Sequence, residues 1–258
     1  NNGAHDGKSL FESYINEVAQ EGVLSIIVAT GNEGNASHHY ANKISQGQTL
    51  DVEFVVSGGA NALFLTMWKS FVDKFSLEII APNGRTTGKI NFSESEFLID
   101  DIKVYIFYND PTPYNFDQEI YFQFVSTKNM LTEGTWTLRI YGEEIVDGEF
   151  NIWLPINEVS TGNTKFLNPT TDITLTLPST AENVISVGGY DANLNSMANF
   201  SGRGYTRNGL IKPDIVAPAV DVSVINTNGN VESASGTSLA APFVTGAAAL
   251  MMEWGIVQ

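Results

Sequence analysis

The 258-residue chain is 43% hydrophobic, enough to bury the core of one large domain or two ordinary ones. Its 29 acidic and 13 basic residues leave a net charge of −16, which repels nucleic acid and anionic lipid and removes both as expected partners. Zero cysteines exclude disulfides, thiolate chemistry and cysteine-based zinc sites, and the most apolar segment, residues 247–252, is short and ends at Glu253, so no membrane span is expected.

The first residues, NNGAHDGKS, lack the basic and apolar regions of a signal peptide, and the chain does not open with Met, so it reads as a processed or cut piece. Leu10, Phe11, Tyr14, Ile15, Val18 and Ala19 then fall on one stripe of a helix over residues 9–21, a stripe expected to be buried. Ser9 with Glu12 is a capping-box pair, and Gly22 suits the left-handed position that ends a helix. The run VLSIIVA at 23–29 is apolar and β-branched throughout, as in a parallel strand covered on both faces.

Between residues 44 and 177 the pattern changes to short alternating segments at 50–56, 62–68, 76–80, 103–108, 120–125, 135–141, 150–154 and 173–177. Turn formers such as Asn83 with Gly84, Pro111 with Pro113, and Gly148 separate them, which predicts a β-sandwich of about eight strands, the count of a jelly roll. The polar segment 159–172 is expected to be a loop leading back to the host domain. After Pro178 the pattern returns to NVISVGG (183–189) as a strand, DIVAP (214–218) as a short extended segment, and a last helix starting near Ser238. The expected fold class is therefore α/β: a partial parallel-sheet domain from residues 1–43 and 178–258, interrupted by an all-β, jelly-roll-like sandwich at 44–177.

The sequence GTS at 236–238 places Ser238 at the N-terminus of that helix, beside free backbone N–H groups and the positive end of the dipole. Taken alone it reads as a helix cap, a far commoner role for such a serine than a catalytic one. Pro242 is expected in the first turn, and the small residues Ala240, Ala241, Gly246, Ala247 and Ala248 predict a buried helix lying close to a sheet. Two further blocks bear on the serine. ATGNEGN (29–35) ends the first strand in a glycine-flanked turn that offers the Asn32 amide as a donor, and FSGRG (200–204) followed by KPDIVAP (212–218) supplies a second ordered set of turns.

In this order TGNEGN, VISVGG, NFSGRG, KPDIVAPAV and GTSLAAPFVTGAAAL resemble the subtilisin-like serine proteases, the subtilases, over residues 1–43 and 183–258. The resemblance implies a serine endopeptidase acting on peptide or protein substrates, with Ser238 as nucleophile. It makes Asn32 and the Ser238 backbone N–H the oxyanion donors and Ala29, Thr30 and Gly31 a substrate-pocket wall, with no cofactor and no metal assigned. The insertion and the MEWGI ending are similar to clostridial members, including the Csp germination proteases, which implies an extracellular or spore-associated setting. SLEIIAPNGRT and EGTWTLRIYGEEIVDGEFNIWL also resemble the jelly-roll P-domain of proprotein convertases.

The family's triad Asp and His motifs do not occur in this chain; the family places both ahead of the position held here by Asn1. The chain by itself is therefore expected to be inactive, and the open edge of its incomplete sheet offers a route to self-association. His5 is expected in a polar loop in a solvated or turn-stabilising role, and His38 and His39 in a surface loop at the cleft edge. Asp191 and Asp214 are read as structural, and Leu239 and Phe243, which depart from the commoner GTSMAAPHVAG, remove no group that does chemistry. Two other functions compete: a pseudoprotease or protein-binding module working through the sandwich, and a sugar-stacking surface built on Trp68, Tyr105, Tyr108, Tyr114 and Trp136, aromatics that core packing accounts for more simply.

Overall fold

The computed structural model describes residues 3–20, 24–93, 95–156 and 162–257. Two compact units emerge, one formed by Ser37–Thr170 and the other by Ala4–Ala36 with Thr171–Gln258. The second opens with helix α1 (Leu10–Gln20) and strand β1 (Ile27–Ala29).

The first unit is the sandwich. Its strands are β2 (His39–Lys43), β3 (Thr49–Ser57), β4 (Ala62–Ser70), β5 (Lys74–Ile80), β6 (Ser95–Ile99), β7 (Ile102–Tyr108), β8 (Asp117–Ser126), β9 (Gly134–Glu144), β10 (Glu149–Trp153) and β11 (Asn163–Phe166). They form a six-stranded sheet, β2-β10-β4-β8-β7-β6, and a four-stranded sheet, β11-β3-β9-β5. Alternate side chains face the core, as in β9, where Trp136, Leu138 and Ile140 are buried and their neighbours are not. Phe54 meets Phe124 edge to face at 6.0 Å, Phe124 meets Trp136 at 5.4 Å, and the Trp136 indole N–H donates to the Thr132 carbonyl at 2.9 Å.

Among the described residues ten strands replace the eight expected: 39–43, 95–99 and 163–166 are added and 173–177 is lost. Residues 39–43, placed ahead of the sandwich by the sequence, pair with β10 from His39 opposite Trp153 to Lys43 opposite Glu149. The loop expected at 159–172 contains β11, paired with β3 from Asn163 opposite Ser57 to Phe166 opposite Phe54; residues 159–161 lie outside the described residues. ITLTL at 173–177 alternates well and yet is no strand, and it belongs to the second unit: the Thr174 N–H goes to the Arg203 carbonyl and the Thr176 N–H to the Thr30 carbonyl, both in loops of that same unit. His38 and His39 are buried, not surface groups. The His39 ring stacks on Trp153 at 4.7 Å and its Nε2 lies 2.9 Å from Asn151 Oδ1, so the imidazole serves as an aromatic with a satisfied polar edge.

In the second unit β1 runs parallel to β12 (Ile185–Asp191), with Ile27 opposite Ile185, and β12 runs parallel to β14 (Ile215–Pro218), with Val187 opposite Ile215. β13 (Ser196–Met197) pairs antiparallel with the end of β12, and β15 (Val222–Ile225) with β16 (Val231–Ala234) makes a hairpin ahead of helix α2 (Thr237–Met252). β1 is shorter than expected and only half-buried, since it pairs with β12 alone among the described strands; Val23 and the helix-ending Gly22 lie outside the described residues.

Both helices depart from the expected burial. The capping box forms: Ser9 Oγ donates to Glu12 Oε2 at 2.7 Å, and the Glu12 N–H to Ser9 Oγ at 3.2 Å. The apolar stripe of α1, however, is open, with Leu10, Phe11 and Tyr14 exposed and Ile15, Val18 and Ala19 half-buried. α1 is docked through its polar side instead, by a short hydrogen bond from Thr180 Oγ1 to the buried Glu12 and by Asn16, which accepts from the Asn183 N–H at 2.9 Å. α2 packs on the sheet through Ala240 and Val244, while its Phe243, Leu250 and Met251, and Trp254 just beyond its end, are exposed. No described helix is long and apolar enough to cross a membrane.

Candidate active site

β1 delivers the chain into the loop at 30–35, and the backbone holds that loop tightly. The Thr30 N–H donates to the Val187 carbonyl at 3.1 Å, the Gly31 carbonyl accepts from the Gly202 N–H at 2.9 Å, and the Gly34 N–H donates to the Phe200 carbonyl at 2.9 Å. Gly31 sits at φ +84°, and a Cβ there would fall 2.4 Å from the Thr176 side chain; at Gly34 it would fall 2.1 Å from the Ser201 carbonyl oxygen. The blocks TGNEGN and NFSGRG are thus two halves of one clasp, which is why both are dense in glycine.

The clasp presents the Asn32 side chain at the start of α2. Asn32 Oδ1 accepts from the Thr237 N–H at 3.0 Å and from Thr237 Oγ1 at 3.2 Å. Gly236 holds the N-cap position and has no side chain to offer, so Asn32 caps the helix from a distant loop. With Oδ1 committed to Thr237, the amide's donor end is the one left for a ligand. A Cβ on Gly236, whose φ is +154°, would stand 3.6 Å from Asn32 Nδ2.

Ser238 is the second residue of α2 and is exposed, and among the described residues its Oγ makes no hydrogen bond. It does not cap the helix. Its N–H belongs to the group of four that open a helix without an intrahelical acceptor, so it points the same way as the dipole. Pro242 lies deeper than the first turn and has no N–H to give, so the Ser238 carbonyl receives no bond from it. Thr237 and Gly236 are the members of this constellation that sequence reasoning passed over; the bare glycine ahead of Thr-Ser is the signal that the cap comes from elsewhere.

Of the proposed pocket wall, Ala29 and Gly31 keep some exposed surface, whereas Thr30 is fully buried and its carbonyl accepts from the Thr176 N–H at 2.9 Å. His5 is buried too, against expectation, with Nδ1 2.7 Å from the Leu175 carbonyl. Its segment is held by Arg207, which donates through Nε to the Ala4 carbonyl at 2.7 Å and whose N–H meets the His5 carbonyl at 2.8 Å. Asp191 closes a turn onto the Asn193 and Leu194 N–H groups. Asp214 Oδ2 accepts from Ser186 N, Ser186 Oγ and Lys212 Nζ, each at 2.7 Å. Burial alone would raise the Asp214 carboxyl, but the Lys212 ammonium and the Ser186 donors outweigh it and hold the group below the usual carboxylate range. Among the described residues no three His, Asp or Glu side chains gather as a metal-ligand set.

Residues 155–255 match the model of the subtilase family. The chain is 40% identical over 82 residues to the subtilase-type proteinase RRT12 of Saccharomyces cerevisiae, an alignment covering 31% of this chain and 15% of that protein. It is 35% identical over 100 residues to the serine protease AprX of Bacillus subtilis, covering 31% of this chain and 23% of the relative. The structure of the Clostridium perfringens CspB protease superposes over 100% of this chain with a TM-score of 0.90 at 36% identity, and the chain spans 55% of that protein. Motifs, family match and fold agree, and the inserted sandwich is part of the agreement.

Proposed function

We propose, on the premise that this chain carries part of a subtilisin-like serine protease domain of the Csp-like kind, that Ser238 is the nucleophile of a peptide-bond hydrolase. The Asn32 amide and the Ser238 N–H form its oxyanion hole. Ser238 Oγ adds to the substrate carbonyl carbon, its proton passing to a general base, and the carbonyl oxygen takes on negative charge between two donors already fixed in place. Collapse of that intermediate expels the amine, protonated by the same base, and leaves an acyl-enzyme that water then hydrolyses. Ala29 and Gly31 flank the substrate side chain on the oxyanion side.

The observation that carries this reading is the bond from Thr237 to Asn32 Oδ1, which ties the loop at 32 to the helix start at 238 and turns the amide's donor end outward. The base and its orienting carboxylate are assigned to residues outside this chain, in keeping with a Ser238 Oγ that has no hydrogen-bond partner among the described residues. The chain alone is accordingly inert toward peptides.

In the full-length protein, Ser238→Ala is expected to abolish labelling by a fluorophosphonate probe. Asn32→Ala should retain labelling while lowering turnover by about 10²- to 10³-fold, the cost known in this family for one oxyanion donor. Unchanged labelling of Ser238→Ala removes the nucleophile assignment. A full-length protein that neither labels nor cleaves favours the pseudoprotease.

A further inference from the structure

We propose that the sandwich carries a second binding site: a cavity beside the β4–β5 turn that takes a small organic anion with an apolar body, its acidic head held by Lys69 Nζ and the Tyr108 hydroxyl. The cavity measures about 470 Å³, within the range of small-molecule sites. Phe71, Val72 and Phe92 line it and are 48%, 57% and 45% exposed, while Phe75, also in its lining, is buried.

Lys69 is 1% exposed, and its ammonium donates to the Ser70 carbonyl at 3.0 Å and the Asp73 carbonyl at 2.5 Å. That uses two of three N–H groups on neutral acceptors, with the Phe75 ring 5.3 Å from the nitrogen. The neighbouring Asp73 carboxylate is turned to the loop at 146–148, where it accepts from the Val146, Asp147 and Gly148 N–H groups at 2.6, 3.1 and 2.8 Å. A buried cation therefore faces carbonyls in place of a carboxylate. Burial pushes the Lys69 ammonium down to about 8 despite the through-space pull of Asp73 and Asp117.

The second unmet group is Tyr108. Its hydroxyl is buried with no hydrogen-bond partner among the described residues, and burial raises its ionisation above the ordinary phenol range, so it stays a donor. A buried donor without an acceptor is costly, and the Tyr108 hydroxyl and the remaining Lys69 N–H, both bordering one apolar cavity, are matched by an acceptor-rich anion. The chemistry that fits is a carboxylate on an aliphatic or aryl body. Lys74, also on the rim, already pairs with Glu144 at 2.6 Å, so Lys69 carries the recognition. The site lies wholly within the sandwich unit and is independent of the proteolytic reading.

The test is calorimetric titration of the whole chain with sodium octanoate and, in parallel, with 1-octanol. Octanoate is expected to bind saturably at one site, about tenfold more weakly to Lys69→Met and several-fold more weakly to Tyr108→Phe, with octanol indifferent to Lys69→Met. Tyr108→Phe removes only one oxygen and decides the matter if Lys69→Met folds poorly. Equal octanoate affinity in wild type and Tyr108→Phe overturns the proposal. So does octanol binding as tightly as octanoate, or no saturation by either up to about 10 mM.

Discussion

In the sandwich, Phe54, Phe124 and Trp136 interlock across two sheets. In the parallel-sheet unit the buried apolar cluster is only Val187, Ala217, Ala219 and Ala240; glycines lie against backbone carbonyls in both units, as at Gly148 on Ile44 and Gly34 on Ser201, but only the sandwich adds a large aromatic core to them. The sandwich is stabilised chiefly by burying large side chains; the parallel-sheet unit has few of these and relies more on close loop-to-loop approach, as at Gly31, Gly34 and Gly202. The difference follows from what each must position. A sandwich needs a filled interior, whereas Asn32 and Ser238 need two loops and a helix start held in fixed register.

The comparison can be broken most forcefully at Trp136. Trp136→Ala should cost about 4 kcal/mol, by lost burial and the cavity left behind. Hydrogen–deuterium exchange should show the loss in peptides from residues 39–166, with the glycine clasp at 30–35 and 200–204 protected as before. Gly34→Ala is the converse. Its methyl would overlap the Ser201 carbonyl, at a cost of about 3 kcal/mol. Exchange should rise in residues 30–35 and 198–204 and not in β3, β4 or β9. Equal loosening of both units by either change would mean that the two modes of stabilisation are not separate.

A smaller and reversible probe is pH. Lys69 has a folded value of about 8 against an ordinary 10.5, so between those limits the unfolded chain holds the proton and the folded one does not. Stability should therefore rise as pH goes from about 8 to 10.5, by as much as about 2–3 kcal/mol, and be flat with respect to this group below 8. Urea titrations across that window should show the slope in wild type and lose it in Lys69→Met. The smallest effect is at the helix cap: Ser9→Ala should cost about 1 kcal/mol and fray α1 alone, read as faster exchange at Glu12 and Ser13.

Much of this architecture is legible in the sequence because the chemistry is local. Ser9 and Glu12 announce their cap, NVISVGG its buried strand, and the alternation at 135–141 its half-buried one. What stays hidden depends on partners far along the chain. HYANK at 39–43 carries no alternation and becomes a strand because β10 is there to pair with it, while ITLTL alternates and is not a strand because its N–H groups are taken by loops. The stripe of α1 shows the same limit from the other side: periodicity tells which side chains share a face, not whether anything packs on it, and here Glu12 and Asn16 make the contacts. At the site, the motifs name Asn32 and Ser238, but Thr237 as the group that orients the Asn32 amide appears only once the helix start is seen.

Gly236 has a genetic consequence. With φ +154° the position strains any L side chain, while a Cβ there would only make ordinary contact with the Asn32 amide at 3.6 Å. Every missense change available to a glycine codon adds at least a methyl group. The codon ahead of Thr237 is thus constrained by backbone conformation and not by lack of space, a form of selection that acts on every side chain alike.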